Sequence, residues 1–128
     1  MKRQRPTRRR VLQHLAAGVG LGLLPTACRR PDLSLMAAAL IDIASDRATL
    51  ATIGRAFLEE QPESLESILG RLAADLPWSG PLSAEELTAR LARRIEHDFR
   101  HGATYRVDAW ILSQTEARWS ALVALSSD

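Results

Sequence analysis

The apolar residues of this chain recur at helical spacing from Leu33 almost to the C terminus, and no other feature limits the fold as strongly. One apolar stretch covers residues 33–43, and a second keeps its apolar positions three and four apart as far as Glu60. Similar stripes follow within residues 65–76, 87–99 and 117–125. Because residues three and four apart lie on one face of an α-helix, this pattern predicts a helical protein.

Polar residues stand where these stretches begin, and they are typical N-caps, whose side chains accept hydrogen bonds from the first turn of a helix. They are Asp32, Asp46, Ser83 and Ser113. The two serines each open a Ser-x-x-Glu capping box, which indicates a helix start. Pro62 suits the first turn of a third helix, and Gly102 is a natural C-terminal stop. The first two stretches form either two helices or one helix broken near Ser45.

The connecting segments complete the expected fold. Residues 77–82 contain two prolines and a glycine and form the clearest loop. Residues 103–110 are expected to be a turn or a short extended segment, and no pair of strands is predicted. The expected fold is therefore all-α, a small bundle of about four helices in residues 33–128. A linker at residues 29–32 joins it to an N-terminal signal segment at residues 1–28.

That N-terminal segment follows the three-part plan of a signal peptide. Residues 1–10 are purely cationic, residues 11–27 are mostly apolar, and the apolar stretch ends in the small Ala27. The continuous apolar run at residues 15–24 is shorter than the ~20 residues of a comfortable membrane span. An uncleaved membrane anchor or an ordinary secretory signal is the alternative interpretation.

The sequence Thr-Arg-Arg-Arg-Val-Leu-Gln at residues 7–13 resembles the twin-arginine motif, which runs Ser/Thr-Arg-Arg-x-Phe-Leu-Lys. The residues that carry the resemblance are Thr7, Arg8, Arg9, Arg10, Val11 and Leu12. Val11 replaces the phenylalanine of the motif conservatively, and Gln13 replaces its lysine. The resemblance implies export of already folded protein to the periplasm or cell envelope by the twin-arginine (Tat) machinery. Folded export is mainly useful when a cofactor or a partner subunit is acquired in the cytoplasm.

Cys28 is the only cysteine of the chain, so neither an intramolecular disulfide nor a cysteine-based zinc site can form. The preceding Thr26 and Ala27 resemble a lipobox, in which small residues precede a lipid-modified cysteine, whereas Pro25 stands where leucine is usual. Lipidation of Cys28 would hold the protein stably to a membrane. If cleavage instead follows Ala27 without lipidation, Cys28 becomes a free terminal thiol.

The two signs of charge are segregated along the sequence. Residues 1–30 contain eight basic residues and no acidic ones, whereas residues 31–128 contain nine arginines and fifteen acidic residues, a net charge of −6. A nucleic-acid-binding domain needs a basic face on its folded part. No nucleic-acid partner is therefore expected.

His97 and His101 are the candidate metal ligands, because residues four apart on a helix can point the same way. A third ligand would have to come from elsewhere, and the neighbouring Arg93, Arg94 and Arg100 oppose a cation. Histidines near a helix C terminus are also expected from the helix dipole alone. The prediction is that no metal is bound.

Trp110, Arg118 and Trp119 are the candidate interface residues, since tryptophan and arginine dominate binding hot spots. The alternative is that Trp110 and Ile111 close one end of the bundle while Arg118 faces solvent. Trp119 is the better interface candidate of the two tryptophans.

The sequence contains no carboxylate pair, no nucleophile with a base and no phosphate-binding glycine loop. No catalytic activity and no cofactor are therefore predicted.

The pattern Leu-Ser-x-Thr-Glu-Ala…Ala-Leu at residues 112–122 resembles one found in small accessory subunits of exported dehydrogenases, of the gluconate dehydrogenase third-subunit type. In that family the pattern stands near the start of the domain, and no residue role is carried over. The resemblance implies a non-catalytic subunit that escorts a larger periplasmic oxidoreductase through the Tat pathway. The alternatives are a stand-alone envelope lipoprotein that binds a small ligand or partner, and a metal protein that uses His97 and His101.

Overall fold

The computed structural model describes residues 32–77 and 82–127, all within the second of two units into which the chain divides, Pro31–Asp128. The described part contains five helices and one two-stranded sheet. In chain order these are α1 (Leu33–Asp42), α2 (Arg47–Glu60), α3 (Leu65–Asp75), α4 (Ala84–Arg100), β1 (Thr104–Val107), β2 (Trp110–Ser113) and α5 (Gln114–Ser127). The prediction of a mainly helical protein is confirmed, whereas the prediction that no pair of strands forms is wrong.

The predicted N-caps are formed. Asp32 accepts hydrogen bonds from the backbone N–H groups of Ser34 and Leu35, and Ser83 accepts one from Glu86. Asp46 accepts from both the hydroxyl and the N–H of Thr49, and these two hydrogen bonds lower the pKa of its carboxyl group because they favour the charged form. Since Asp46 begins a helix of its own, α1 and α2 are two separate helices.

The third helix begins later than predicted. Pro62 lies in the connection before α3, and Ser64 is the N-cap that accepts from the N–H of Ser67. A serine side chain satisfies one of the unpaired donors of the first turn, which a proline cannot do. The predicted loop at residues 77–82 falls mostly outside the described residues.

Gly102 ends α4 as predicted, with a φ of 68°, which glycine adopts without steric cost. The N–H of Ala103 donates to the carbonyl of Asp98 (2.8 Å), and the N–H of Gly102 donates to that of Phe99 (3.3 Å). This pair of hydrogen bonds is a Schellman motif, which satisfies carbonyls left free at the end of a helix.

The chain then forms an antiparallel hairpin where a turn or a short extended segment is predicted at residues 103–110. Thr104 pairs with Ser113 and Val107 with Trp110, so the two strands are joined by Asp108 and Ala109. Asp108 has a φ of 51°, a left-handed conformation that aspartate tolerates better than most residues. The hairpin is held to α2 by Tyr105, whose ring centroid lies 5.2 Å from that of Phe57.

The last helix, α5, is the centre of the fold. Eight of its residues are buried, and it contacts each of the other four helices and the hairpin. It starts with the predicted capping box, in which Glu116 N–H donates to Ser113 Oγ (2.9 Å) and Ser113 N–H donates to the Glu116 carboxylate (2.8 Å). A helix buried on all sides needs no polar face, which explains the run Ala121-Leu122-Val123-Ala124.

Candidate functional site

The structure does not assemble the predicted interface of Trp110, Arg118 and Trp119. Trp110 is 59% exposed on the hairpin, whereas Arg118 is 5% exposed and Trp119 is half-buried, both on α5. A recognition patch requires side chains that a partner can reach. Only Trp110 of the three meets that requirement.

Trp119 has a structural role instead. Its ring packs against the core, and its Nε1–H donates to the carbonyl oxygen of Leu40 at 2.8 Å. That carbonyl belongs to the last turn of α1, where backbone acceptors have no partner within the helix. Trp119 therefore joins the end of α1 to the central helix.

The hairpin leaves two large apolar side chains exposed, Trp110 at 59% and Ile111 at 64%. The interpretation that they close the end of the bundle is wrong, because closing it would bury them. Ile111 pairs with Arg106 and Trp110 with Val107 across the hairpin, and successive residues of a strand point to opposite faces. The end of the hairpin therefore presents one apolar side chain on each face.

Arg118 belongs to a partly buried charge network between α3, α4 and α5. Its Nη1 donates to Asp75 Oδ2 at 3.2 Å, and the other Asp75 oxygen lies 3.5 Å from Arg94. The Nε of Arg94 lies 3.2 Å from Asp98 Oδ1, an ion pair whose geometry falls short of a hydrogen bond. Asp98, only 1% exposed, also accepts from the N–H of Thr115 at 2.9 Å. The network of two acids and two arginines carries no net charge.

A cleft of about 270 Å³ opens beside this network, between the end of α3 and one face of α4. Its lining residues are Asp75, Leu76, Pro77, Arg90, Arg93, Arg94 and His97. The α4 residues among them lie three, four and seven positions after Arg90, so they share one face of the helix. Arg90 Nη1 donates to the carbonyl of Pro77 at 2.9 Å, which holds its guanidinium at the cleft. The arrangement is suited to an anion.

His97 and His101 stack on each other, with ring centroids 4.1 Å apart and an interplanar angle of 23°. The Nδ1 of His101 lies 2.8 Å from the carbonyl of His97, so this nitrogen is occupied by a backbone hydrogen bond. Within residues 32–77 and 82–127, no group of three or more His, Cys, Asp or Glu side chains is arranged to hold a metal ion.

The predicted signal and lipidation residues, from Thr7 to Leu12 and at Ala27 and Cys28, lie outside the described residues. In the part that the structure describes, no helix is both long and apolar enough to cross a membrane.

The sequence does not indicate that Asp75, Asp98 and the arginines that line the cleft form one group. The four α4 residues that line the cleft are all basic and form a helical stripe in the sequence, but a stripe of this kind is usually a solvated surface. Asp75 lies on another helix, and nothing local to it indicates that it faces Arg94 and Arg118.

The chain matches no family model, no curated protein and no solved structure. Its resemblances to twin-arginine leaders and to small dehydrogenase subunits therefore stay predictions from the sequence.

Proposed function

We propose that this protein is an exported, non-catalytic accessory subunit that is anchored at the cell envelope and docks onto a larger oxidoreductase. The observation that carries the proposal is the hairpin, with Trp110 and Ile111 both more than half exposed. Large exposed apolar side chains, tryptophan above all, are typical anchors of protein interfaces. The folded body is the kind of cargo that the Tat machinery carries.

A second candidate function is a stand-alone envelope lipoprotein that binds a small ligand. The specific observation that favours it is the cationic cleft at Arg90 and Arg93. The two functions are separable by experiment because the hairpin and the cleft are built from different residues.

The export route is tested at the arginine pair of the leader. Replacing both Arg8→Lys and Arg9→Lys keeps the positive charge, so an ordinary secretory signal would still work. We expect the double variant to stay in the cytoplasm, because the Tat receptor reads the arginine pair itself. The measurement is the amount of protein in periplasmic and membrane fractions of the native host. The control replaces Arg3→Lys and Arg5→Lys, outside the motif, and undiminished export of both variants would contradict the Tat assignment.

Docking is tested by purifying the full chain from its own host in mild detergent and identifying what co-elutes with it. We expect a large cofactor-bearing oxidoreductase in fixed stoichiometry with the wild-type chain. The variants Trp110→Ala and Ile111→Ala should each weaken that association by about tenfold or more.

Leu35→Ala is the matched control, since Leu35 is an aliphatic residue on α1 with a similar exposure of 61%, against 64% for Ile111. The control should retain the partner. A wild-type chain that elutes alone, or a Leu35→Ala chain that loses the partner as fully as Ile111→Ala, would count against docking through the hairpin.

A further inference from the structure

The cleft of α3 and α4 has an unbalanced charge. Arg94 lines the cleft and Arg118 lies next to it. Both are neutralised by Asp75 and Asp98 within the partly buried charge network. Arg90 and Arg93 also line the cleft, and within the described ranges neither has a carboxylate at ion-pair distance. Counting the acids and arginines alone, the cleft therefore carries a net charge of +2.

Such a cluster is unfavourable unless something compensates it. Arg90 and Arg93 are three positions apart on one helix, where like charges repel. Residues 31–128, which contain these arginines, have a net charge of −6, so the positive charge of the cleft is a local feature. A concave surface also concentrates the positive potential more than a convex one does.

The geometry points to this cleft as a binding site for a phosphate group carried by a small molecule or a lipid headgroup. A phosphate monoester has a charge of about −1.5 to −2 at neutral pH, which matches the +2 of the cleft. Arginine side chains offer paired N–H donors that fit phosphate oxygens. Arg90 is already held in place by the Pro77 carbonyl and keeps its other donors for a ligand.

The rest of the cleft determines which part of the molecule it encloses. A volume of about 270 Å³ holds a phosphate with a small organic group, and the open side of the cleft leaves room for the remainder of a longer molecule. Leu76 and Pro77 provide the apolar part of the wall. Asp75 also lines the cleft, and its carboxylate lies 3.5 Å from the guanidinium of Arg94. Glycerol phosphate is the chemical type that fits these limits, either free or as the headgroup of an anionic lipid.

The experiment follows the phosphorus resonance of the probe by NMR with the full chain in neutral detergent micelles. One arm adds inorganic phosphate and sn-glycerol 3-phosphate, and the other adds phosphatidic acid to the micelles with no free phosphate. We expect saturable broadening in at least one arm, and the arm that responds identifies the source of the phosphate.

Arg93→Gln tests the site, and Arg106→Gln is its matched control. Both arginines are exposed, and both changes remove one positive charge, but Arg106 lies on β1 outside the cleft. We expect Arg93→Gln to weaken binding about tenfold or more while Arg106→Gln leaves it unchanged. Circular dichroism of both variants checks that the fold is kept.

Two outcomes would overturn the proposal. One is the absence of saturable broadening in both arms, and the other is an equal loss in the two variants, which would indicate general attraction to a positive charge. Neither outcome bears on docking through the hairpin, since both concern phosphate binding, which is measured without a docking partner.

Discussion

Gly54→Ala is expected to destabilise the protein by about 3 kcal/mol or more, a large part of the roughly 5–15 kcal/mol by which an ordinary fold is stable. A Cβ atom at this position of α2 would lie 2.5 Å from the carbonyl carbon of Ser120 and 2.8 Å from the backbone nitrogen of Ala121, with the Ser120 oxygen closer still. These are backbone atoms of the central helix, so no side-chain rotation can relieve the overlap. The two helices would have to move apart.

The neighbouring residues explain why that separation is costly. Ala51 on α2 and Ala124 on α5 are small and buried in the same cluster, and α2 makes more contacts with α5 than any other element does. Small residues let the two backbones approach closely, and moving them apart would open gaps throughout this contact.

Gly70→Ala is the matched control, because Gly70 lies in α3 and a Cβ atom there would meet nothing within 4 Å. Alanine favours the helix over glycine by roughly 0.5–1 kcal/mol, so this variant should be more stable than the wild type. Thermal and denaturant unfolding of the full chain, followed by circular dichroism, measures both. Changes of the same sign at the two glycines would contradict the close approach of α2 and α5.

Asp98→Ala is expected to cost about 2–4 kcal/mol, the second largest effect. Two groups lose their partner at once: the N–H of Thr115 in the first turn of α5, and the guanidinium of Arg94, which is about one-third exposed. Because Arg94 keeps some contact with water and with Asp75, the loss is smaller than for a fully buried pair.

The conservative variant separates the two contributions. Asp98→Asn keeps an oxygen that can accept from Thr115 and removes only the charge opposite Arg94, so its loss should be the smaller. Glu96→Gln is the control on the same helix, since Glu96 forms an exposed ion pair with Arg100 and little change is expected there. Denaturant unfolding measures all three, and an Asp98→Ala variant as stable as Glu96→Gln would refute the structural importance of the network.

Much of the helical structure was predictable because its signals are local. Asp32, Asp46 and Ser83 cap helices within three residues of themselves, and Ser113 forms its capping box with Glu116. The hairpin was missed because its connection, Asp108-Ala109, lacks the glycine that usually marks a two-residue turn. Its strands are four residues each, too short for alternation to stand out.

The roles of individual side chains were less predictable, because they depend on partners far away in the sequence. Trp119 was expected at an interface, but it donates to a carbonyl 79 residues earlier, and Arg118 pairs with an acid 43 residues earlier. The local sequence around a tryptophan or an arginine near a helix start is the same whether that residue lies at an interface or is buried against a distant partner. Burial alone distinguishes the two roles, and burial is a property of the packed helices.

The sequence by itself therefore determined a mainly helical protein, the ends of most helices, and the separation of a basic N-terminal segment from the acidic remainder of the chain. These follow from hydrogen bonds and apolar spacing within a few residues, or from composition. The tertiary structure alone decided that α5 is central, that Gly54 lies against its backbone, and that Arg90 and Arg93 face a cleft while Arg94 is neutralised. These features arise only when helices distant in the chain pack against one another, since it is packing that fixes which charges are paired and which stay open to a ligand.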